Sequence, residues 1–197
     1  MKKKYLFSVT VGIMFIALSL SSCLAVLNSI ATGNATGNTS WSMGQFTNEW
    51  GDKTGEYFIV FRNNIRGTLS NIAVQNGVMS ARNITFSKLE GLTIDLHDHD
   101  NDSSRFASNV DSADVIIKIG DTDYKFDARV SGLRTVRIDY SQKLLDLFLL
   151  EKDMLFRITT KSELTEKYTN SGKSFSYYQF TLRPVNFTTA FNEINKR

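Results

Sequence analysis

The chain carries one cysteine and one proline among its 197 residues. A single thiol excludes an intramolecular disulfide framework. The scarcity of proline leaves strands uninterrupted, and charged side chains must then protect any sheet edge. Histidine is nearly as rare: His97 and His99 are the only two. Excess charge is missing as well. The net charge is +3, and Lys2, Lys3 and Lys4 account for the whole excess of 23 basic over 20 acidic side chains. Residues 23–197 are therefore balanced. No basic surface favours nucleic acid or anionic lipid headgroups. Catalytic signatures are absent too. There is no Gly-x-Ser-x-Gly elbow. Gly172-Lys173-Ser174 ends like a phosphate loop, but Lys167 stands where the first glycine must be and a strand pattern follows. No catalytic residue is assigned.

What is present begins at the N-terminus. Met1-Lys2-Lys3-Lys4 is a short positive region, and Leu6 to Leu20 is mostly apolar. That run is short for a membrane span, and small residues follow it. Leu20-Ser21-Ser22-Cys23 then resembles the lipobox of bacterial lipoproteins: an aliphatic residue, two small ones, and the cysteine to be acylated. The resemblance implies a signal peptide over 1–22 and lipid attachment (diacylglycerol and an amide-linked acyl chain such as palmitate) at Cys23. Two or more chains, at about 0.8 kcal/mol per buried CH₂, make such an anchor stable. Leu24 in place of Asp implies, by similarity to enteric lipoproteins, an outer-membrane or cell-surface location rather than the inner membrane. Secretory cleavage after Ala25 and an uncleaved anchor are the alternatives. Residues 23–40 read as the lipidated end and a flexible tether. Ala31-Thr32-Gly33-Asn34 recurs at once as Ala35-Thr36-Gly37-Asn38, too polar and small to bury a core. A tether over 24–40 has a root-mean-square reach of roughly 20–25 Å.

Residues 41–197 suit one domain, and alternation of period two dominates them. Tyr57 to Phe61 is apolar on both faces and reads as a central strand. Val78 to Phe86, Leu92 to Leu96, and Val115 to Ile119 follow. Gly120-Asp121 turns the chain into Tyr124, Phe126, Ala128 and Val130, which alternate with Lys125, Asp127 and Arg129. This hairpin predicts a buried Phe126 and an exposed Lys125. Val136 to Tyr140, Met154 to Thr159 and Phe175 to Leu182 complete about eight strands. The fold class is mainly β: an antiparallel β-sandwich or barrel with one or two short helices. Ser141 can cap a helix over Gln142 to Leu150, a run that also fits a buried strand. Phe187, Ala190, Phe191 and Ile194 form one stripe of a C-terminal helix. Asn186 or Thr188 is the expected cap, and the helix is expected to plug an open end or cover a face.

The two ends of this region carry a second resemblance. Trp41…Phe46…Trp50-Gly51-Asp52-Lys53-Thr54-Gly55, followed by an aromatic strand, resembles the opening of small exported bacterial β-sandwich domains of unknown function. Tyr178-Gln179-Phe180-Thr181-Leu182…Phe187-Thr188-Thr189-Ala190-Phe191 is similar to the close of envelope proteins related to invasion-associated locus B and of accessory proteins of type VI secretion. The cysteines usual in those proteins are absent here, and no site residues transfer.

One polar segment concentrates chemistry: Asp95-Leu96-His97-Asp98-His99-Asp100-Asn101-Asp102. Asp98, Asp100 and Asp102 have the spacing of the first three ligands of a calcium loop. Ser103 replaces the loop glycine and Asn109 the bidentate glutamate. His97 and His99, two apart, fit one side of a zinc or copper site with an aspartate. A solvated connector is the simpler reading, and no metal or other cofactor is assigned. Trp41, Trp50 and Tyr177-Tyr178 offer a flat platform for a sugar or peptide, though core packing explains most of them. The expected function is a non-enzymatic envelope binding module on a membrane, with a protein or glycan ligand. A structural or assembly factor is the alternative, and a metal-dependent hydrolase the third.

Overall fold

A computed structural model describes residues 41–70, 77–98, 110, 112–132, 134–161 and 175–197. The signal segment, Cys23, the tether, His99, Asp100, Asp102 and the 172–174 segment lie outside the described residues. Two compact units result: Gly44–Tyr57, and Trp41–Met43 with Phe58–Arg197.

The fold is mainly β, as the alternation predicts, and of the two expected architectures it is a barrel. The strands are β1 (Trp41–Thr47), β2 (Lys53–Phe61), β3 (Ile65–Ser70), β4 (Gly77–Ser87), β5 (Gly91–Asp98), β6 (Ser112–Ile119), β7 (Thr122–Ser131), β8 (Thr135–Ile138), β9 (Met154–Lys161) and β10 (Phe175–Leu182). Two helices, α1 (Gln142–Leu149) and α2 (Phe187–Ile194), follow β8 and β10. Around the ring the order is β4-β3-β10-β9-β6-β7-β8-β5, and β5 pairs back onto β4. Closure removes the free edges that a proline-poor sheet would otherwise expose.

One expectation is refined here and one is corrected. Tyr57 to Phe61 has a strand on each side but is not part of the barrel: β2 lies outside the closed ring, between β1 and β4. Phe58, Ile59 and Phe61 are nevertheless buried, and Trp41 packs on Phe61 at 5.2 Å between ring centroids. Phe126 is half-buried rather than buried. Its register opposite Val115 puts it on the core side of β7. The Lys143 ammonium covers its ring at 4.8 Å, where an apolar side chain would have sealed it. Lys125 is exposed, as expected.

A bulge makes the junction of β2 and β3 possible. β3 pairs with β4 as far as Ala81, and β2 takes over the same edge from Ile84. Between them the β4–β5 register shifts, and Asn83 adopts φ 46°. The bulge kinks β4 so that one edge serves two successive partners. At the β3–β10 seam Gly67 is required. A Cβ there would lie 2.2 Å from the Gln179 carbonyl oxygen and 2.6 Å from Met79 Sδ.

Apolar side chains pack the interior. An eight-stranded barrel is just wide enough for side chains to fill it. Phe156 and Phe180 stack at 5.0 Å. Phe86 contacts Phe148, Phe187 and Phe191 at 5.2, 5.1 and 5.7 Å, which locks both helices onto the barrel. Ser141 caps α1 by accepting the Leu144 N–H at 3.2 Å. The C-terminal helix thus plugs one end, as its stripe predicts.

The Gly44–Tyr57 unit is a hairpin with a tightly bonded turn. Asn48 Oδ1 accepts the N–H groups of Trp50 and Asp52 at 3.0 and 2.8 Å. Gly51 takes the left-handed φ of 86° that this turn needs. Trp50 stands at the tip, 81% exposed.

Candidate functional site

The barrel has two chemically different ends. β3, β5, β7 and β9 run towards one end and β4, β6, β8 and β10 run away from it, as their antiparallel registers require. The strand ends at Ser70, Gly77, Asp98, Ser112, Lys161 and Phe175 all lie there, beside the turn after Ser131. This is called the loop end. The opposite end carries α1, α2 and the short turns 88–90 and 120–121.

A polar cluster sits on the outer face of β4, β5 and β8 near the loop end. His97 and Ser80 are register partners and both are buried. Arg134 Nη1 lies 3.1 Å from His97 Nδ1. A guanidinium only donates, so Nδ1 accepts and the neutral ring carries its proton on Nε2. Arg82 Nε donates to Ser80 Oγ at 3.1 Å. Asp95 accepts from Thr135 Oγ1 at 2.7 Å and from Asn83 Nδ2 at 2.9 Å. The Leu96 N–H bonds the Arg134 carbonyl at 2.9 Å, which fastens the β7–β8 turn to β5.

His97 is thus a bonded member of a structural network. A guanidinium at Nδ1 leaves no room for a cation on that nitrogen and opposes one by charge. Asp98 is the last residue of β5, and its side chain lies outside the described structure. His99, Asp100 and Asp102 lie outside the described residues. Among the described residues no group of three or more His, Cys, Asp or Glu side chains converges on a metal position. The aromatic residues do not form one platform, and core packing claims two of the four, as expected. Trp41 is 2% exposed and Tyr178 4%, both in the core, whereas Trp50 and Tyr177 face solvent. Arg82, Arg134 and Ser80 escaped sequence reading, because only the register brings them to His97.

The helix end is held by a residue that the sequence did not single out. Asn186 occupies the cap position of α2, but its side chain makes no cap bond. Glu151, just past α1, reaches across instead. Its carboxylate accepts the Thr188 N–H at 2.8 Å and the Asn186 N–H at 3.2 Å. Burial raises the Glu151 pKa, but the bonds from the Thr188 N–H and hydroxyl and the Asn186 N–H outweigh it, so the carboxyl stays below its ordinary value. Glu151 also adopts φ 51° while its N–H bonds the Phe148 carbonyl at 3.1 Å, closing α1 in a position usually given to glycine.

No protein-family model, curated protein or solved structure matches this chain in comparison. Among the described residues no helix is long and apolar enough to cross a membrane.

Proposed function

We propose that the protein is a lipid-anchored envelope module that binds a partner without chemistry of its own, held at Cys23 and recognising its ligand, an envelope protein or glycan, at the loop end. The observation that carries this reading is the asymmetry of the barrel. The chain enters at Trp41, whose ring packs on Phe148 of α1 and Phe187 of α2, at 6.3 and 5.3 Å. The tether therefore begins against the helices, and the strand ends Asp98, Ser112, Lys161 and Phe175, which flank residues 99–111 and 162–174, gather at the other end. A filled interior puts recognition on the outside, where loops carried on a rigid scaffold suit it.

The test has two arms. Intact mass and palmitate labelling of wild type and Cys23→Ala are expected to show a lipidated chain starting at Cys23. A photo-cross-linking residue at Ser131, at the loop end, is expected to capture a defined envelope component that the same residue at Asp121, at the helix end, does not. An unmodified chain starting elsewhere overturns the anchor; equal capture from both positions overturns the assignment of ends. A second reading, an envelope assembly factor without a small ligand, is favoured by Trp50: an exposed tryptophan on a tightly bonded turn has the character of a protein-contact hot spot. Loss of a larger complex in Trp50→Ala, with Ser131 capture unchanged, would select it.

A further inference from the structure

Exposed aliphatic side chains gather at the helix end. Leu149 and Leu150 close α1, at 37% and 48% exposure, and Val185 precedes α2 at 42%. Glu151, which binds the backbone of Asn186 and Thr188, draws these two segments together. Leu89, 59% exposed, stands in the turn between β4 and β5 at the same end. That turn is fastened to α2 by Lys88, whose ammonium lies 5.8 Å from the centre of the Phe191 ring. The charges between them offset one another, as where Arg183 pairs with Asp153 at 3.5 Å.

We infer that this end of the barrel is a membrane-docking face, and that Leu89, Leu149, Leu150 and Val185 seat on the lipid surface to which the protein is tethered. The inference rests on the anchor reading above. It follows from where the described chain begins. Trp41 packs against both helices, and a tether over 24–40 reaches roughly 20–25 Å. An eight-residue strand is about 27 Å long, so that tether holds the helix end, not the loop end, nearest the bilayer. A second copy of the chain is a poorer occupant. A stable interface buries about 800 Å² on each partner, and four part-exposed aliphatic side chains offer a fraction of that. The balanced charge suits shallow apolar seating rather than attraction to anionic headgroups.

The test uses the full lipidated protein in vesicles of phosphatidylethanolamine and phosphatidylglycerol. With Cys23 acylated, Leu150→Cys, Leu89→Cys and Ser131→Cys each supply one thiol for an environment-sensitive fluorophore. Nitroxide-bearing lipid is expected to quench the labels at 150 and 89 several-fold more than the label at 131. Equal quenching at all three, with the protein floating with the vesicles, overturns docking and leaves the anchor standing. A protein that does not float and shows no lipid mass overturns the anchor, and docking with it. Labels at 150 and 89 that escape the nitroxide but shift their emission with protein concentration place a second copy there and overturn the lipid assignment.

Discussion

Glu151 offers the sharpest test of how the barrel is closed. It adopts φ 51°, which costs a non-glycine residue about 1–2 kcal/mol. It is nevertheless the residue that caps α2, through bonds of 2.8 and 3.2 Å to the N–H groups of Thr188 and Asn186. Glu151→Gln keeps the length and backbone preference but removes the charge and one of the two acceptors. A side-chain cap contributes about 0.5–2 kcal/mol, and a negative charge at a helix N-terminus about 0.3–1 kcal/mol. Together they predict a loss of about 1–2 kcal/mol at pH 7, or several degrees in Tm for a domain of this size. Glu151→Gly loses both bonds but recovers about 1–2 kcal/mol of backbone strain, so it should cost about as much as Glu151→Gln.

The pH dependence fixes the cause. The folded pKa of Glu151 lies below its ordinary value of 4.5. Folding therefore gains from the ionised form above that value, and the gain disappears as pH falls through the lower folded pKa. Urea denaturation of wild type and Glu151→Gln at pH 7 and again near pH 3 should show the gap narrowing in acid. A gap that is unchanged in acid, or a Gly variant more stable than wild type, would refute the capping role.

The other predictions concern the core, the seam and the metal. Phe156→Ala, at a fully buried stacked ring, should cost about 3–5 kcal/mol in denaturant melts, and Phe126→Ala clearly less, because Lys143 rather than core packing covers its ring. Gly67→Ala should be among the most damaging substitutions, since its Cβ would meet the β10 backbone at 2.2 Å, whereas Gly120→Ala should cost only about 1–2 kcal/mol of backbone strain because nothing lies within 4 Å; equal losses would contradict the seam. Melting temperatures in chelator, millimolar calcium and micromolar zinc should coincide; binding with a Kd of about 0.1 mM would instead add about 1.4 kcal/mol at 1 mM calcium, and a shift that disappears in Asp100→Ala would establish a metal loop.

Strand alternation made most of the barrel legible. β5, β6, β7 and β8 have apolar residues at every second position, and each matches a core-facing register position. α1 was ambiguous because Leu144 to Leu150 is apolar nearly throughout; Ser141 resolves it by capping. β3 was illegible for a definite reason. Gly67 stands where the pattern needs an apolar residue, and the reason for glycine is the closeness of β10, which no local pattern reports. The same limit hid the cap of α2. Asn186 carries the usual cap chemistry, and Glu151, 35 residues earlier in the chain, does the work. Local propensity names candidates; the closure of the barrel decides which of them is used. His97 follows the same rule, since its partner Arg134 is 37 positions away and reaches it only through the β5–β8 pairing.

The two ends differ because antiparallel closure forces it. Each reversal of the chain moves it to the other end, so successive connections alternate between ends. From β3 onward, the strand ends Ser70, Gly77, Asp98, Ser112, Ser131, Thr135, Lys161 and Phe175 fall together at one end. The turns over 88–90 and 120–121, with α1 and α2, fall at the other. Long connections cost a fold little, because closure entropy grows only with the logarithm of length. The short turns are different, since they fix register, and a slip of one residue would turn a core face outward. The helix end bears many of the constraints: the αL residue Glu151, the aromatic cluster around Phe86, and Trp41 packed on both helices. Among the described residues, the loop end carries the β7–β8 turn, fastened to β5 through Arg134. Under the proposed anchoring, such a barrel would be held at its helix end and would leave recognition to the other, the division of labour that a tethered binding module requires.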